Sequence, residues 1–285
     1  MKKIGLVANL EKPRALLLAR KLLRQLPGRS VLLEEELGYQ LHATRNIHPL
    51  SELARKVGLI IVLGGDGTVL RVVRHIYPAE TKILPVNLGR LGFLTSLLPT
   101  RLGSSLAPIL KGRFAVSRRK TLEVEIRRAV GRRIKHVVLN DVVISRKAFS
   151  RVAEMDLCVN GEFLNSYYGD GMIISTPTGS TAYALSAGGP IVAPDSDVFT
   201  VTPICPHTLS NRSVVVNDRS VVEIRPRSQA EGLVVTIDGQ VLVELQRRDI
   251  ILVRRSKYQV KLVTLPTHSY FDILRRKLKW SGTSH

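Results

Sequence analysis

The first hundred residues alternate between short, almost wholly apolar runs and stretches whose apolar positions recur at helical spacing. The runs "IGLVANL" (4–10), "VLLEE" (31–35), "LIIVLGG" (59–65) and "ILPVNLG" (83–89) predict strands, and "KPRALLLARKLLRQL" (12–26) and "PLSELARKVG" (49–58) predict helices. Strands alternating with helices predict an α/β domain with a Rossmann-like parallel sheet covered on both faces. In such a sheet function gathers at the carboxyl ends of the strands.

One more helix is expected over 99–114, and then the texture changes. "TLEVEI", "HVVLNDVVI", "VAEMDLCV", "VFTVTPI", "SVVVN", "SVVEIRP", "GLVVTI", "VLVEL" and "IILVRR" are short and rich in β-branched residues, with the turn signals "NG" (160–161), "ND" (217–218) and "DG" (238–239) among them. They predict a mainly antiparallel, all-β second domain. The end, "SYFDILRRKLKW" (269–280), is helical again and is expected to return to the first domain. The expected division is 1–115 completed by 266–285, and 116–265.

Composition narrows the class. The chain has 285 residues, 44% of them hydrophobic, which excludes a disordered protein and allows one large domain or two ordinary ones. Cys158 and Cys205 show neither a disulfide framework nor metal-ligand spacing. The start "MKKIGLVANL" lacks the apolar core of a signal peptide, and no apolar run approaches the roughly 20 residues that span a bilayer. A cytoplasmic protein is expected. The formal charge of +20 admits polyanionic partners. The cations are spread along the chain, however, and aromatics are only 5%, too few for a base-stacking platform. "SRRK" (117–120) and "RRAVGRR" (127–133) suit a solvated hairpin.

Two stretches carry candidate chemistry. In "GGDGTVLRVVRH" (64–75), Gly64, Gly65 and Gly67 allow a sharp turn and a close ligand approach, while Thr68 is placed to cap a helix beginning "VLRVVRH". That helix start suits a phosphate. Asp66, the only anion aimed at it, then needs either Mg²⁺ or a hydroxyl proton to accept. In "YYGDGMIISTPTGSTAYALSAGGPIVAP" (167–194), Asp170 lies between glycines and is followed by Ser175, Thr176, Thr178, Ser180, Thr181 and Tyr183. This reads as a loop that hydrogen-bonds a polar, multi-oxygen ligand, with Tyr183 offering a face to a ring.

Together with "NLGRLGFLT" (87–95), "LNDVVI" (139–144), "TPICPHTLSNR" (202–212), "IDGQ" (237–240) and "FDILRRKLKW" (271–280), these stretches resemble the NAD kinase family, in the family's order from about residue 59 to 280. "GGDGT" alone is shared with diacylglycerol and sphingosine kinases, and more loosely with 6-phosphofructokinases, but those lack the "STPTGSTAY" loop. The resemblance implies transfer of a phosphoryl group from ATP, with Mg²⁺, to the adenosine ribose 2′-hydroxyl of NAD. Asp66 would accept the proton, and the loop of Gly64, Gly65, Gly67 and Thr68 would handle the ATP phosphates. For NAD it implies Asp66, Gly67, Phe93, Asn140, Asp141, Thr181, Ala182 and Tyr183, with Asp170 and Thr178 by the nicotinamide half. Where many members carry Asn-Glu, this chain has Asn140-Asp141.

Arg71, His207, Asp238 and Gln240 are further candidates. His207, with Pro203 and Pro206 in a segment between strands, reads as a structural or pocket-edge residue of a rigid loop, and "IDGQ" reads locally as a hairpin turn. The family also implies a homodimer or homotetramer assembled through the β-rich domain, while polyphosphate stays open as an alternative donor. Two other readings stand beside it. A lipid kinase would share "GGDGT" and use the basic charge at a membrane, and a non-catalytic polyanion-binding protein would explain +20 but neither glycine-flanked carboxylate.

Overall fold

The computed structural model describes residues 3–26, 31–89, 91–95, 97–147, 152–208, 210–227, 232–265 and 269–280. Arg90 and Leu209, within two of the motifs above, and residues 266–268 and 281–285, assigned by sequence to the first domain, lie outside the described residues. The chain divides into two compact units, residues 1–118 with 260–285 and residues 119–259.

The first unit runs β1 (Ile4–Ala8), α1 (Pro13–Gln25), β2 (Val31–Glu34), α2 (Glu35–Gln40), β3 (Ile47–His48), α3 (Leu50–Lys56), β4 (Leu59–Gly64), α4 (Asp66–Ile76), β5 (Lys82–Asn87) and α5 (Pro99–Leu110). The strands lie in the order β5-β4-β1-β2-β3, all parallel. The two-residue period of a strand divides their apolar runs between two faces. Ile4, Leu6, Ala8, Leu59, Ile61 and Leu63 pack with Ala15, Ala19 and Leu22 of α1 and with Leu102, Leu106 and Ile109 of α5. Gly5, Val7, Ile60 and Val62 alternate with them, and a Cβ at Gly5 would fall into the Leu53 side chain of α3. Because both faces are covered, no polar position interrupts β1 or β4.

Two elements go beyond the sequence pattern: α2, a short helix led by Glu35 and Glu36, and β3, only two residues long. Helix α5 also stops earlier than expected, at Leu110. Gly112 has φ of +77°, and the Arg113 N–H returns to the Pro108 carbonyl, a glycine-dependent termination.

The second unit holds β6 (Ala115–Arg127), β7 (Ile134–Val138), β8 (Asp141–Arg146), β9 (Ala153–Val159), β10 (Glu162–Gly169), β11 (Gly171–Ser175), a 3-10 turn (Gly179–Thr181), α6 (Tyr183–Ser186), β12 (Val198–Ile204), β13 (Val214–Asn217), β14 (Val222–Pro226), β15 (Leu233–Ile237), β16 (Val241–Glu244) and most of β17 (Ile250–Thr264). One antiparallel sheet has the order β13-β12-β11-β8-β15-β16, and the other joins β10-β9-β14-β17 with β6 and β7. Their inner faces share a core that includes Leu122, Val142, Met155, Met172, Phe199 and Val235. Ala184 and Ala187 pack on the outer face of the first of these sheets, against Val143, Ile173 and Ile204.

Residues 260–264 of β17 belong to the first unit, where Lys261 and Leu262 pair parallel with Lys82 and Ile83 of β5. Helix α7 (Tyr270–Leu278) follows in that unit, capped by reciprocal bonds between Ser269 and Asp272. Two strand expectations need correction. "HVVLNDVVI" is two strands, broken at Leu139–Asn140, and "YYGDGMIIS", taken as loop, forms the end of β10 and all of β11.

Candidate active site

Helix α4 begins at Asp66, earlier than the "VLRVVRH" boundary, with Gly65 in the N-cap position. Thr68 is therefore not the N-cap. It lies in the first turn, and its Oγ1 accepts from the Gly65 N–H at 3.3 Å. A carboxylate at the first helical position is favoured by the helix dipole. Asp66 also has specific partners: Oδ1 accepts from the N–H groups of Leu94 and Thr95 at 3.1 Å each and from Thr95 Oγ1 at 2.9 Å. Oδ2 accepts from the Phe93 N–H at 2.8 Å. The "GFLT" loop is thus folded around the Asp66 carboxylate, and a Cβ at Gly92 would collide with it.

The three glycines of the motif serve different ends. At Gly64 a Cβ would collide with the Thr68 side chain, so that glycine is needed for packing. At Gly65 and Gly67 no described atom lies within 4 Å of where a Cβ would stand, and neither has a positive φ. Their openness leaves room for something outside the chain to approach the backbone. Arg71 pairs with the buried Glu34 at 2.6 Å, which ties α4 to the end of β2. Lys277 of α7 stands 5.9 Å from the centre of the half-buried Phe93 ring, a cation facing the loop that grips Asp66.

In the second unit the structure brings Asn140, Asp141, Thr178, Thr181, Ala182 and Tyr183 to one end of β8 and β11. The Thr176 N–H donates to the Asn140 carbonyl at 2.9 Å, Thr176 Oγ1 donates to Leu139 at 2.6 Å, and a Cβ at Gly179 would collide with the Asn140 carbonyl. The hydroxyl density of the loop therefore has a largely internal cause. Ser175, Thr176 and Ser180 are buried and bonded to the loop's own backbone or to its neighbours, and Ser180 Oγ also accepts from Val192. Thr181 Oγ1 donates to the Thr178 carbonyl at 3.2 Å. Tyr183 opens α6 with 48% of its surface exposed.

Asp238 organises the same end. Its carboxylate accepts from the N–H groups of Leu139, Asn140 and Asp141 at 3.0, 2.7 and 3.2 Å, at the point where "HVVLNDVVI" breaks in two between β7 and β8. Asp238 and Gly239 both have positive φ, as the tight β15–β16 turn requires, and Gln240 closes that turn through its N–H to Ile237. Burial, reinforced by the negative charge of Asp238, pushes the Asp141 carboxyl up from 3.8 to about 7.

Asp170 and His207 lie elsewhere, at the far end of β11. Gly171 pairs with Ser145 whereas Ser175 pairs with Asp141, so the two ends are about 13 Å apart along the strand. Arg146 donates to Asp170 at 2.7 Å and, with a contribution from Cys205, holds that carboxyl below its usual range. Sequence reasoning missed Gly92, Thr95, Arg146 and Lys277 because each acquires its role through a tertiary contact. Only the glycine in "RLGFLT" offered a signal. Among the described residues no cluster of three or more His, Cys, Asp or Glu could hold a metal.

The ATP-NAD kinase N-terminal domain family matches residues 4–114, and the ATP-NAD kinase C-terminal domain family matches residues 139–265. NAD kinases of Geobacter metallireducens and Syntrophotalea carbinolica are 43% and 41% identical to the chain, covering 98% of it and 99% of each relative. Among solved structures, yeast NADH kinase complexed with NADH superposes with a TM-score of 0.90 at 24% identity, covering 100% of this chain and 89% of that one. An Archaeoglobus fulgidus NAD kinase in complex with ATP gives 0.75 at 24% identity, covering 98% and 100%.

Proposed function

The chain belongs to the NAD kinase family, and we propose that it makes NADP with Asp66 accepting the proton of the adenosine ribose 2′-hydroxyl of NAD as that oxygen takes the γ-phosphoryl group of ATP. The observation that carries the assignment is the setting of Asp66. Its Oδ1 is engaged by three donors and its Oδ2 by one, so Oδ2 keeps acceptor capacity for a substrate hydroxyl. Phosphoryl transfer asks the protein mainly for positioning and charge neutralisation, and a carboxylate clamped by a folded loop meets the first demand.

Open backbone at Gly65 and Gly67 suits the ATP phosphates, beside Gly64 and Thr68, which shape the turn. Mg²⁺ would be carried chiefly by those phosphates and by water, since Mg²⁺ sites commonly use few carboxylates and keep water, which leaves the remaining acceptor position of Asp66 Oδ2 to the substrate hydroxyl. When bound, it would offset the charge on the transferred phosphate. Asn140 and Asp141 are assigned to the NAD ribose, and Thr181, Ala182 and Tyr183 to the adenine and its ribose. Phe93 is assigned to NAD as well, and Asp170 and Thr178 to the nicotinamide half. His207, beside Asp170, and Gln240 are placed at its edge, and Asp238 acts by holding Asn140 and Asp141. Arg71 serves α4 through Glu34.

A homo-oligomer built through the second unit and a cytoplasmic location complete the proposal. Phe163 and Leu164 of β10 and Leu242 of β16, apolar and exposed, support the former. No described helix is long and apolar enough to cross a membrane. The family assignment displaces the lipid-kinase and polyanion-binding readings.

Incubation with NAD, ATP and Mg²⁺, read by an NADP-specific dehydrogenase, tests the function. NADP that forms with the native chain and fails to form with Asp66→Asn is the expected result. Well-folded native protein that makes none would overturn it, and substituting polyphosphate for ATP in the same assay settles the donor.

A further inference from the structure

Asp170 is held more firmly than a residue between two glycines would suggest. Its N–H donates to the Ile204 carbonyl at 3.0 Å, and its own carbonyl accepts from the Arg146 N–H at 3.1 Å. Both flanking glycines are required by packing: a Cβ at Gly169 would meet the Ile204 and Cys205 carbonyls, and one at Gly171 the Ile144 carbonyl. The carboxylate therefore has a fixed place, at the opposite end of β11 from Asn140 and Asp141.

That carboxylate is not an isolated charge. Arg146 Nε donates to Oδ1 at 2.7 Å, Cys205 bonds the same carboxylate, and His207 stands close enough for its charge to act on it. A charge-assisted bond of this length joins two opposite charges into a pair with little net charge. The pair faces outward, with 35% of the Arg146 side chain and 40% of the Asp170 side chain exposed, so a ligand ring can lie against it. An ion pair this exposed adds little to stability, which turns attention to what it does for a bound ligand.

The oxidised and reduced forms of the acceptor dinucleotide differ only in the nicotinamide ring, which is positively charged in NAD and neutral in NADH. Discrimination is a difference of affinities, so it depends on what surrounds that ring. A bare carboxylate there would favour NAD by Coulomb attraction, and a neutralised one would not. We propose that Arg146 is a specificity-determining residue, cancelling the charge of Asp170 so that the site takes NADH about as readily as NAD and the enzyme phosphorylates both. This assignment rests on the kinase reading with Asp170 at the nicotinamide half, and adds to it which redox forms of the acceptor are used.

The test is the ratio of kcat/KM for NADH to that for NAD, measured on the full-length enzyme with ATP and Mg²⁺, with NADPH and NADP separated by chromatography. In the native enzyme the ratio should lie within about fivefold of unity, and Arg146→Leu should lower it by about fivefold or more, the scale of one half-exposed charge acting on another. Arg146→Lys keeps the cation and should hold the native ratio. Asp170→Asn added to Arg146→Leu should restore it, because neither charge then remains. A lesion of the fold alone lowers both efficiencies together and leaves the ratio unmoved. A native ratio further than about fivefold from unity, or a ratio unchanged in Arg146→Leu, would overturn the proposal. If well-folded enzyme phosphorylates neither form, it is the kinase reading that fails. Displacement of bound NADH by NAD, followed by NADH fluorescence, then reads the same ratio as affinities, and Arg146→Leu must still shift it toward NAD.

Discussion

The Asp66 carboxylate stands where a Cβ on residue 92 would have to be, so Gly92 and Asp66 are a matched pair. One residue can reach the N–H groups of 93–95 only because the other has no side chain.

Gly92→Ala should therefore act like a direct lesion of the acceptor. Forcing Asp66 aside is expected to lower kcat by about 10²-fold or more, the loss that displacement of a reacting group commonly brings. Circular dichroism should stay unchanged, since Gly92 is in a loop and not in the sheet. Near-native turnover would show that Asp66 can shift without consequence.

Asp66→Asn keeps the shape but replaces one oxygen by an amide that cannot accept from a backbone N–H. Turnover should fall by roughly 10²- to 10⁴-fold, the usual range for a positioned proton acceptor. Hydrogen exchange at residues 93–95 should quicken as well, because their partner is impaired. If turnover falls with exchange unaltered, Asp66 acts on substrate alone and not through the loop.

Asp141 links NAD binding to pH. Its carboxyl titrates at about 7 in the folded chain against 3.8 ordinarily. Between those values the folded state keeps a proton that the unfolded chain has released, so this group's contribution to stability falls as pH rises and levels off above about 7. Ribose hydroxyls donate to an ionised carboxylate, so NAD affinity should move the other way, strengthening up to about pH 7. Calorimetry at pH 6 in buffers of different ionisation enthalpy should show proton release on binding, and Asp141→Asn should abolish it. Equal release in Asp141→Asn would assign the proton to another group.

Tyr183→Ala should chiefly weaken NAD, raising its KM with little change in kcat or in stability, because almost half of the side chain is open and little packing is lost. An unchanged KM would mean that the base does not use that ring.

The parallel sheet was legible from the sequence because strands covered on both faces are apolar throughout, and "LIIVLG" is buried at every position. Helix α2 and strand β3 were not, since six and two residues are too few for a period to declare itself. The glycine-flanked Asp66 was equally plain, yet its partners were hidden. Nothing local in "GFLT" says that its N–H groups converge on a carboxylate 27 residues earlier. The "STPTGSTAY" loop misled in a different way. Its hydroxyls promise ligand contacts, but Ser175, Thr176 and Ser180 are spent on the chain's own carbonyls, and only the register of β8 against β11 reveals it.

Hairpin turns are ordinarily where a chain accepts insertions, epitope tags or a change of loop length. The turn at Asp238-Gly239 is a poor place for any of these, because its carboxylate fastens residues 139–141, almost a hundred positions earlier. One extra residue there would turn Asp238 away and free the N–H groups of residues 139–141 from the carboxylate that positions them. Length variation among homologues should accordingly avoid this turn, and a tag placed in it should erase NAD affinity while the fold survives.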